Sequence, residues 1–396
     1  MSTRIDNCYD LIVIGAGASG CMAALTAVRR GKSVLLLEKN DSICKKILAT
    51  GNGRCNFTNQ KMDASYYHGN ADRIATVLNR FGVQSALDFF HSIGISPVER
   101  DGYYYPMSNQ AKSVVTAFEQ AILQSSIRLI CSCKIESVEK HQNYLISTNH
   151  GLFEGRNVLI ATGLLNSAMK GIEESLFPVI KGFGHHIKKI VPALCGFYCH
   201  GMDFKKIAGV RVHAGITLWI DGKKIANEEG ELQICDYGLS GIPVFQLSAL
   251  AGRALAERKT ASFMIDFLPD FEADEAAKEL SYRLNHFKKP MNGLLPDKLA
   301  DLFEKEFQMM DQNNPDLLIK SLKEKQIAIE NYRELRYAQT CSGGIEDSEL
   351  KENSLESALS DGLYFGGELL DVDGICGGYN LHWAWASGYA VGSDIV

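Results

Sequence analysis

The chain has 396 residues, 46% of them apolar and 22% charged, the balance of a globular protein of two or three domains. That composition excludes a disordered chain, a collagen-like chain and a small disulfide scaffold. Lys plus Arg number 41 against 47 Asp plus Glu, a net charge of -6, so the overall charge draws neither nucleic acid nor anionic lipid.

The polar start MSTRIDNCYD runs into an apolar, β-branched strand at 10–14, DLIVI. A helix follows at 18–30, with Cys21, Leu25 and Val28 on one face and Gly31 at the C-cap position. A second buried strand at 33–37 ends at Glu38, completing one βαβ unit. Residues 51–59 read as a loop, and 72–93 and 111–125 as helices. Short strands over 128–149 suggest an antiparallel meander. NVLIATG at 157–163 is another buried strand ending in a glycine turn.

The character changes near residue 195. Strands at 213–220 and 223–235 flank Asp221-Gly222, a two-residue hairpin turn. Helical spacing appears at 243–258, 272–287 and 296–311, and a strand at 326–332 returns to the same small sheet. From 363 the chain is apolar and glycine-rich again. The expected division is a discontinuous nucleotide-binding domain, 1–195 and 341–396. A β-rich insert, 196–268 and 326–340, is expected to carry a helical subdomain at 269–325.

The charge-free stretches 11–28 and 374–393 are broken by glycines and are not expected to span a membrane. Eleven cysteines, an odd count with no signal sequence ahead of them, are expected as reduced thiols in a cytoplasmic protein. Cys131-x-Cys133 and Cys195-x3-Cys199-His200 lack a second ligand pair, so no metal site is expected.

Gly15-Ala16-Gly17-Ala18-Ser19-Gly20 directly follows a strand and opens a helix. Gly15 permits the turn, Gly17 lets the backbone approach a pyrophosphate, and Gly20 allows helix to pack on strand. The helix N-terminus offers N–H groups and partial positive charge to that pyrophosphate. Glu38, 18 residues after Gly20, can accept the ribose hydroxyls, which favours FAD or NAD over NADP.

In ATGNGRCNFTN, Gly51, Asn52 and Gly53 can bring backbone near a flat ring, though an ordinary surface turn has the same composition. Gly366-Gly367-Glu368, Asp371, Asp373 and Gly377-Gly378-Tyr379-Asn380 supply a second glycine-rich helix start. Two such starts at opposite ends of one chain suit one long dinucleotide. Gly182-Phe183-Gly184 lacks the third glycine of a second fingerprint and reads as a helix C-cap. Tyr103-Tyr104-Tyr105 reads as aromatic packing ahead of a proton donor.

The chain resembles a family of bacterial FAD-containing oxidoreductases with a glutathione-reductase-like FAD domain. That family includes aminoacetone oxidases and a reductase of bile-acid dienones. The likeness lies in Lys46 to Asn59 (KILATGNGRCNFTN), in Leu370 to Gly374 (LDVDG) and in Gly377 to Ala386 (GGYNLHWAWA). Thr340 to Ile345 matches the family's Thr-x-Gly-Gly turn loosely.

The resemblance implies an α/β fold, a glutathione-reductase-like Rossmann-type FAD domain with an inserted β-sheet domain carrying a helical insertion. It implies that Gly15 to Gly20, Glu38, Lys39, Lys46, Gly51, Asn52 and Gly53 line the FAD site. Ala161, Thr162, Gly163, Gly367, Glu368, Asp373, Gly378, Tyr379, Asn380 and Leu381 join them, with the Val138 backbone at the adenine. Residues 164–179 depart from the family pattern, and Asp236 stands where the family has a histidine. No general acid is carried over from there.

The expected activity is FAD-dependent reduction of a conjugated C=C in a small apolar substrate, with NADH or NADPH as a transient donor. No nucleic-acid or membrane partner is expected. The alternatives are a flavin oxidase of an amine or ketone using oxygen, and a flavin-dependent sensor or RNA-modifying protein. Lys188-Lys189 and Lys205-Lys206 would offer the last a local patch.

Overall fold

The computed structural model describes residues 6–164, 176–309 and 315–396. They form two units, Met1–Ile190 with Thr340–Val396, and Val191–Gln339.

In the first unit the strand Asp6–Ile14 lies between Val34–Leu37 and Gly151–Ile160, all parallel. Arg128–Ile130 adds to the outer side of Val34–Leu37, and Leu363–Phe365 pairs with Gly151–Ile160, again in parallel. Leu11, Ile12, Val13, Leu35 and Leu36 are fully buried, as strands covered on both faces must be. Tyr144–Thr148 and Ile135–Lys140 extend the sheet antiparallel.

Three expectations change here. The first strand begins at Asp6 rather than residue 10. Residues 128–130 belong to the parallel sheet and not to the meander, because a three-residue strand does not disclose the direction of its partner. The single helix expected over 72–93 is two, Ala71–Arg80 and Val83–Ser92. Phe81 leaves helical geometry at φ -144 and ψ 80, and Gly82 opens the next helix.

The helix Ala18–Arg29 leaves the first strand and meets the C-terminal helix Tyr379–Asp394. Their approach depends on glycine. A Cβ on Gly388 would lie 2.2 Å from the Ser19 carbonyl oxygen, and one on Gly392 would lie 2.6 Å from that of Ala23. The far end of the chain is thereby locked onto the helix that opens the first glycine turn.

In the second unit the expected small sheet closes on itself. The ring runs Phe197–His200, Gly238–Gly241, Lys223–Cys235, Arg211–Ile220, Ala261–Asp266, Lys325–Tyr332 and back to Phe197–His200, each pair antiparallel. Asp221 and Gly222 adopt φ 47 and 74 between the paired Ile220 and Lys223, the left-handed pair of a tight hairpin. Phe197, Leu218, Leu232, Ile234, Phe263 and Ile327 fill the interior. The helices Ile242–Ala256, Ala273–His286 and Asp297–Met309 add Leu247, Leu280 and Phe303 to the same core. Among the described residues no helix is long and apolar enough to cross a membrane.

Candidate functional site

The glycine turn stands between two strand ends. Gly15 has φ +104, and a Cβ there would lie 2.6 Å from the Ala161 carbonyl oxygen and 3.0 Å from Cα of Thr162. A Cβ on Gly20 would fall 1.9 Å from the carbonyl oxygen of Gly15, whereas one on Gly17 meets nothing within 4 Å. Gly15 and Gly20 are therefore required by the protein's own packing. Gly17 is small toward open space.

The helix behind the turn has no side-chain cap and no acidic residue in its first turn, so its N–H groups and partial charge are available to an anion. Gly378, at φ 91, opens the C-terminal helix in the same uncapped way. Two uncapped, glycine-led helix starts are the donor set that a dinucleotide's pyrophosphate and ring edge require. The residues present fit FAD.

Around the turn the structure gathers most of the expected residues. Glu38 is buried; its Oε2 accepts from the Ala16 N–H at 2.8 Å and its Oε1 from the Asn40 N–H at 2.8 Å. The carboxylate is thereby held against the turn. Lys39 follows on the surface.

Lys46 forms an ion pair with Glu368 at 2.6 Å and donates to the Leu164 carbonyl at 2.9 Å. A Cβ on Gly163 would lie 3.5 Å from both Lys46 Nζ and Glu368 Oε2. Glu368 Oε1 also accepts from Thr340 Oγ1 and the Cys341 N–H, at 2.8 and 3.1 Å. Burial alone would raise the Glu368 carboxyl, but Lys46 and these donors hold it below the usual carboxylate range. Gly367 donates its N–H to Ser387 and accepts from Trp383 Nε1, which ties the 366–368 segment to the C-terminal helix.

Lys46→Met would leave this half-buried carboxylate without its cation. The expected cost is about 2 kcal/mol at pH 7, below the figure for a fully buried pair because both groups keep some solvent. Urea unfolding measures it, and adding Glu368→Gln should recover part of the loss. Equal stability of Lys46→Met and wild type would contradict the pairing.

A second group surrounds the other helix start. Gly51, Asn52 and Gly53 are exposed, and Gly51 and Asn52 each have φ 54. A Cβ on Gly378 would lie 2.8 Å from Asn56 Oδ1, a buried oxygen without a hydrogen-bond partner. Asn380 exchanges two hydrogen bonds with Gly374, and Leu381 follows half-buried on the same helix. Tyr379 stacks on Tyr66 at 4.9 Å. Burial, with Tyr66 and Tyr103 nearby, pushes its hydroxyl up to about 12. Tyr103 borders Gly377, with Cε1 3.1 Å from where a Cβ would be.

Val138 lies on the strand Ile135–Lys140, at the opposite edge of the sheet order from Arg128–Ile130 and Val34–Leu37. It pairs with Ile146, whereas the backbone N–H groups of Ser132 and Cys133 meet the carbonyls of Asn40 and Glu38. Most of the divergent 164–179 segment, residues 165–175, lies outside the described residues.

Neither His68 nor His382 has a site role in the sequence reading. His68 donates from Nδ1 to the buried Asp373 at 2.8 Å, through the short pairing of Tyr67–His68 with Asp373–Gly374. His382 is wholly buried between Thr58 Oγ1 at 2.8 Å and the Phe81 carbonyl at 3.0 Å. Each partner is some 300 residues away in the chain, so no local pattern marks either. Among the described residues no cluster of ligating side chains could hold a metal.

Comparison with known proteins places this geometry. The family described as "HI0933-like protein Rossmann domain" matches residues 9–394. The chain is 38% identical to the 3-dehydro-bile acid delta(4,6)-reductase of Clostridium scindens, over 96% of this chain and 97% of that protein. It is 27% identical to the ribosomal RNA dihydrouridine synthase of Escherichia coli, over 98% of each. Among solved structures, the 3-ketosteroid delta1-dehydrogenase of Sterolibacterium denitrificans, in complex with 1,4-androstadiene-3,17-dione, shares the fold. The TM-score is 0.54 at 13% identity, over 98% of this chain and 99% of that one. The chain belongs to the HI0933-like Rossmann-domain family and is an FAD-dependent oxidoreductase.

Proposed function

We propose that the protein saturates a C=C bond conjugated to a carbonyl in a small apolar, steroid-like substrate, with NADH or NADPH as electron donor. The observation that carries this reading is the 38% identity, over nearly the whole chain, to a bile-acid delta(4,6)-reductase. The names of both relatives describe one kind of bond. A 3-oxo-4,6-diene is conjugated to its ketone, and dihydrouridine is uridine with the conjugated C5=C6 bond saturated.

Bound FAD supplies the two-electron chemistry. Gly17 and the first turn of Ala18–Arg29 would receive its pyrophosphate, and Glu38 would hold its ribose. Lys46 with Glu368, and the Gly377-Gly378 helix start, would border its ring. Gly182-Phe183-Gly184 caps the helix Phe177–Gly182, with Gly184 at φ +90. It offers no second fingerprint, which supports transient binding of the nicotinamide.

The second reading is a uridine reductase acting on RNA, favoured by the 27% identity over 98% of each chain. Charge speaks for the first. The net charge is -6, Lys188 is ion-paired with Glu346 and Asp371, and Lys206 with Asp203.

Anaerobic incubation with NADPH and either a 3-oxo-4,6-diene bile acid or ribosomal RNA separates the two. The steroid is expected to gain two hydrogen atoms by mass spectrometry. Reduction of RNA uridine with the steroid left intact would sink the first reading. Peroxide formed in step with loss of an amine or ketone would point to an oxidase.

A further inference from the structure

Three histidines of the first unit that are buried or partly buried lie in hydrogen-bond networks, and they differ in what is left over. His382 uses both ring nitrogens, on Thr58 and Phe81. His185 also uses both, donating from Nδ1 to Glu349 and accepting at Nε2 from Ser357, whose Oγ in turn accepts from the N–H groups of Leu359 and Ser360. Neither ring has a nitrogen to spare.

His68 is different. Nδ1 donates to Oδ2 of Asp373, whose side chain is 2% exposed, while the His68 side chain keeps 24% of its surface. Nε2 meets no partner among the described residues. A buried carboxylate thus fixes the ring, its tautomer and the outward direction of the second nitrogen.

The dyad stands beside the Gly378 helix start. Asp373 and Gly374 pair with His68 and Tyr67, and three residues later the chain reaches Gly377-Gly378. Tyr67 donates its hydroxyl to the Tyr379 carbonyl at 3.0 Å, and the ring of Tyr66 lies on that of Tyr379 at 22°. The aromatic pair and the partly exposed imidazole therefore flank the short strand pairing that leads into the turn assigned above to the ring.

We propose that His68 is the proton donor of the reduction and that Asp373 is its positioning residue. This rests on the reading of the protein as a reductase of conjugated C=C bonds. Saturating such a bond adds a hydride at one carbon and a proton at the other. The electron pair arrives with the hydride from the reduced cofactor of the oxidoreductase. The proton comes from Nε2 of the imidazolium: that N–H bond breaks, a C–H bond forms at the carbon next to the carbonyl, and water recharges the neutral ring. The Asp373 carboxylate offsets the imidazolium charge before transfer.

His68→Asn keeps an N–H where Nδ1 donates to Asp373 and removes Nε2. The test uses the photoreduced holoenzyme, mixed anaerobically with the 3-oxo-4,6-diene bile acid. If that acceptor does not oxidise the wild type, a uridine-containing ribosomal RNA fragment replaces it. Reoxidation by the conjugated acceptor is expected to slow on the order of 100-fold in the variant, measured against reoxidation of the same variant by ferricyanide. FAD per chain should stay unchanged, and added imidazole should restore part of the rate. A wild-type ratio of the two rates overturns the proposal, and so does a parallel fall of both rates with loss of FAD, which marks a structural role. If neither acceptor oxidises the wild type, the proposed function falls and this inference with it. If the wild type reacts and His68→Asn reacts equally well, this inference alone falls.

Discussion

Gly20→Ala is expected to destabilise the protein by more than about 3 kcal/mol, whereas Gly17→Ala, three residues away, leaves the apoprotein unchanged and weakens FAD binding at least 10-fold. The added methyl at 20 would sit 1.9 Å from the Gly15 carbonyl oxygen and 3.1 Å from Val13 Cγ1. Backbone cannot yield there without opening the turn between strand and helix, a severe case of overpacking. At Gly17 the backbone is extended, with φ -80 and ψ -166, which alanine adopts freely. Nothing lies within 4 Å of its Cβ position, so the methyl obstructs only what enters that space. Thermal unfolding of the apoproteins and fluorescence titration with FAD give both numbers. Full FAD affinity in Gly17→Ala would remove the pyrophosphate from this turn.

Stability is expected to fall as pH drops from 6.5 toward 4, with His382 contributing about 3 kcal/mol of the loss. Burial lowers its pKa to about 4, against 6.5 for an ordinary histidine, although the hydrogen bond to Phe81 opposes the shift. Nε2–H donates to that carbonyl, so Nδ1 of the neutral ring accepts from the Thr58 hydroxyl, and burial opposes the second, charging proton. Between these pH values the unfolded chain binds the proton and the folded chain does not. The contribution is therefore complete above 6.5 and is lost progressively below it. His382→Gln carries no such proton. Its unfolding free energy should depend on pH less steeply than the wild type's, by about one proton across that window. Identical slopes would contradict the assignment.

The parts of this fold that can be read from the sequence are those whose cause is local. A run of Leu, Ile and Val, three glycines at set spacing and an acidic residue after the next strand describe one βαβ unit within some thirty residues. Asp221-Gly222 describes its own hairpin. What closes the site is not local. Lys46 and Glu368 are 322 residues apart, and His68 and Asp373 are 305 apart; only the meeting of both chain ends makes them partners.

The direction of the strand Arg128–Ile130 depends on its neighbour Val34–Leu37, which a three-residue run does not encode. Closure of the barrel likewise depends on Lys325–Tyr332 reaching Phe197–His200, although residues 326–332 read as a strand in the sequence. Ser132 and Cys133, whose N–H groups meet Glu38 and Asn40, carry no composition that would distinguish them from Val138.

The chemistry common to the two full-length relatives narrows what must be measured. Both a dienone and a uracil ring are electron-poor alkenes, so the proposed acceptor is a conjugated bond and not an isolated one. The most direct measurement is the visible spectrum of the holoenzyme under anaerobic conditions, first with NADH or NADPH and then with a 3-oxo-4,6-diene bile acid. The expected result is bleaching of the flavin bands by the nicotinamide and their return on adding the dienone, one equivalent for each flavin. Bands that stay bleached with the dienone, and return only with oxygen or an unconjugated acceptor, would contradict a reductase of conjugated C=C bonds.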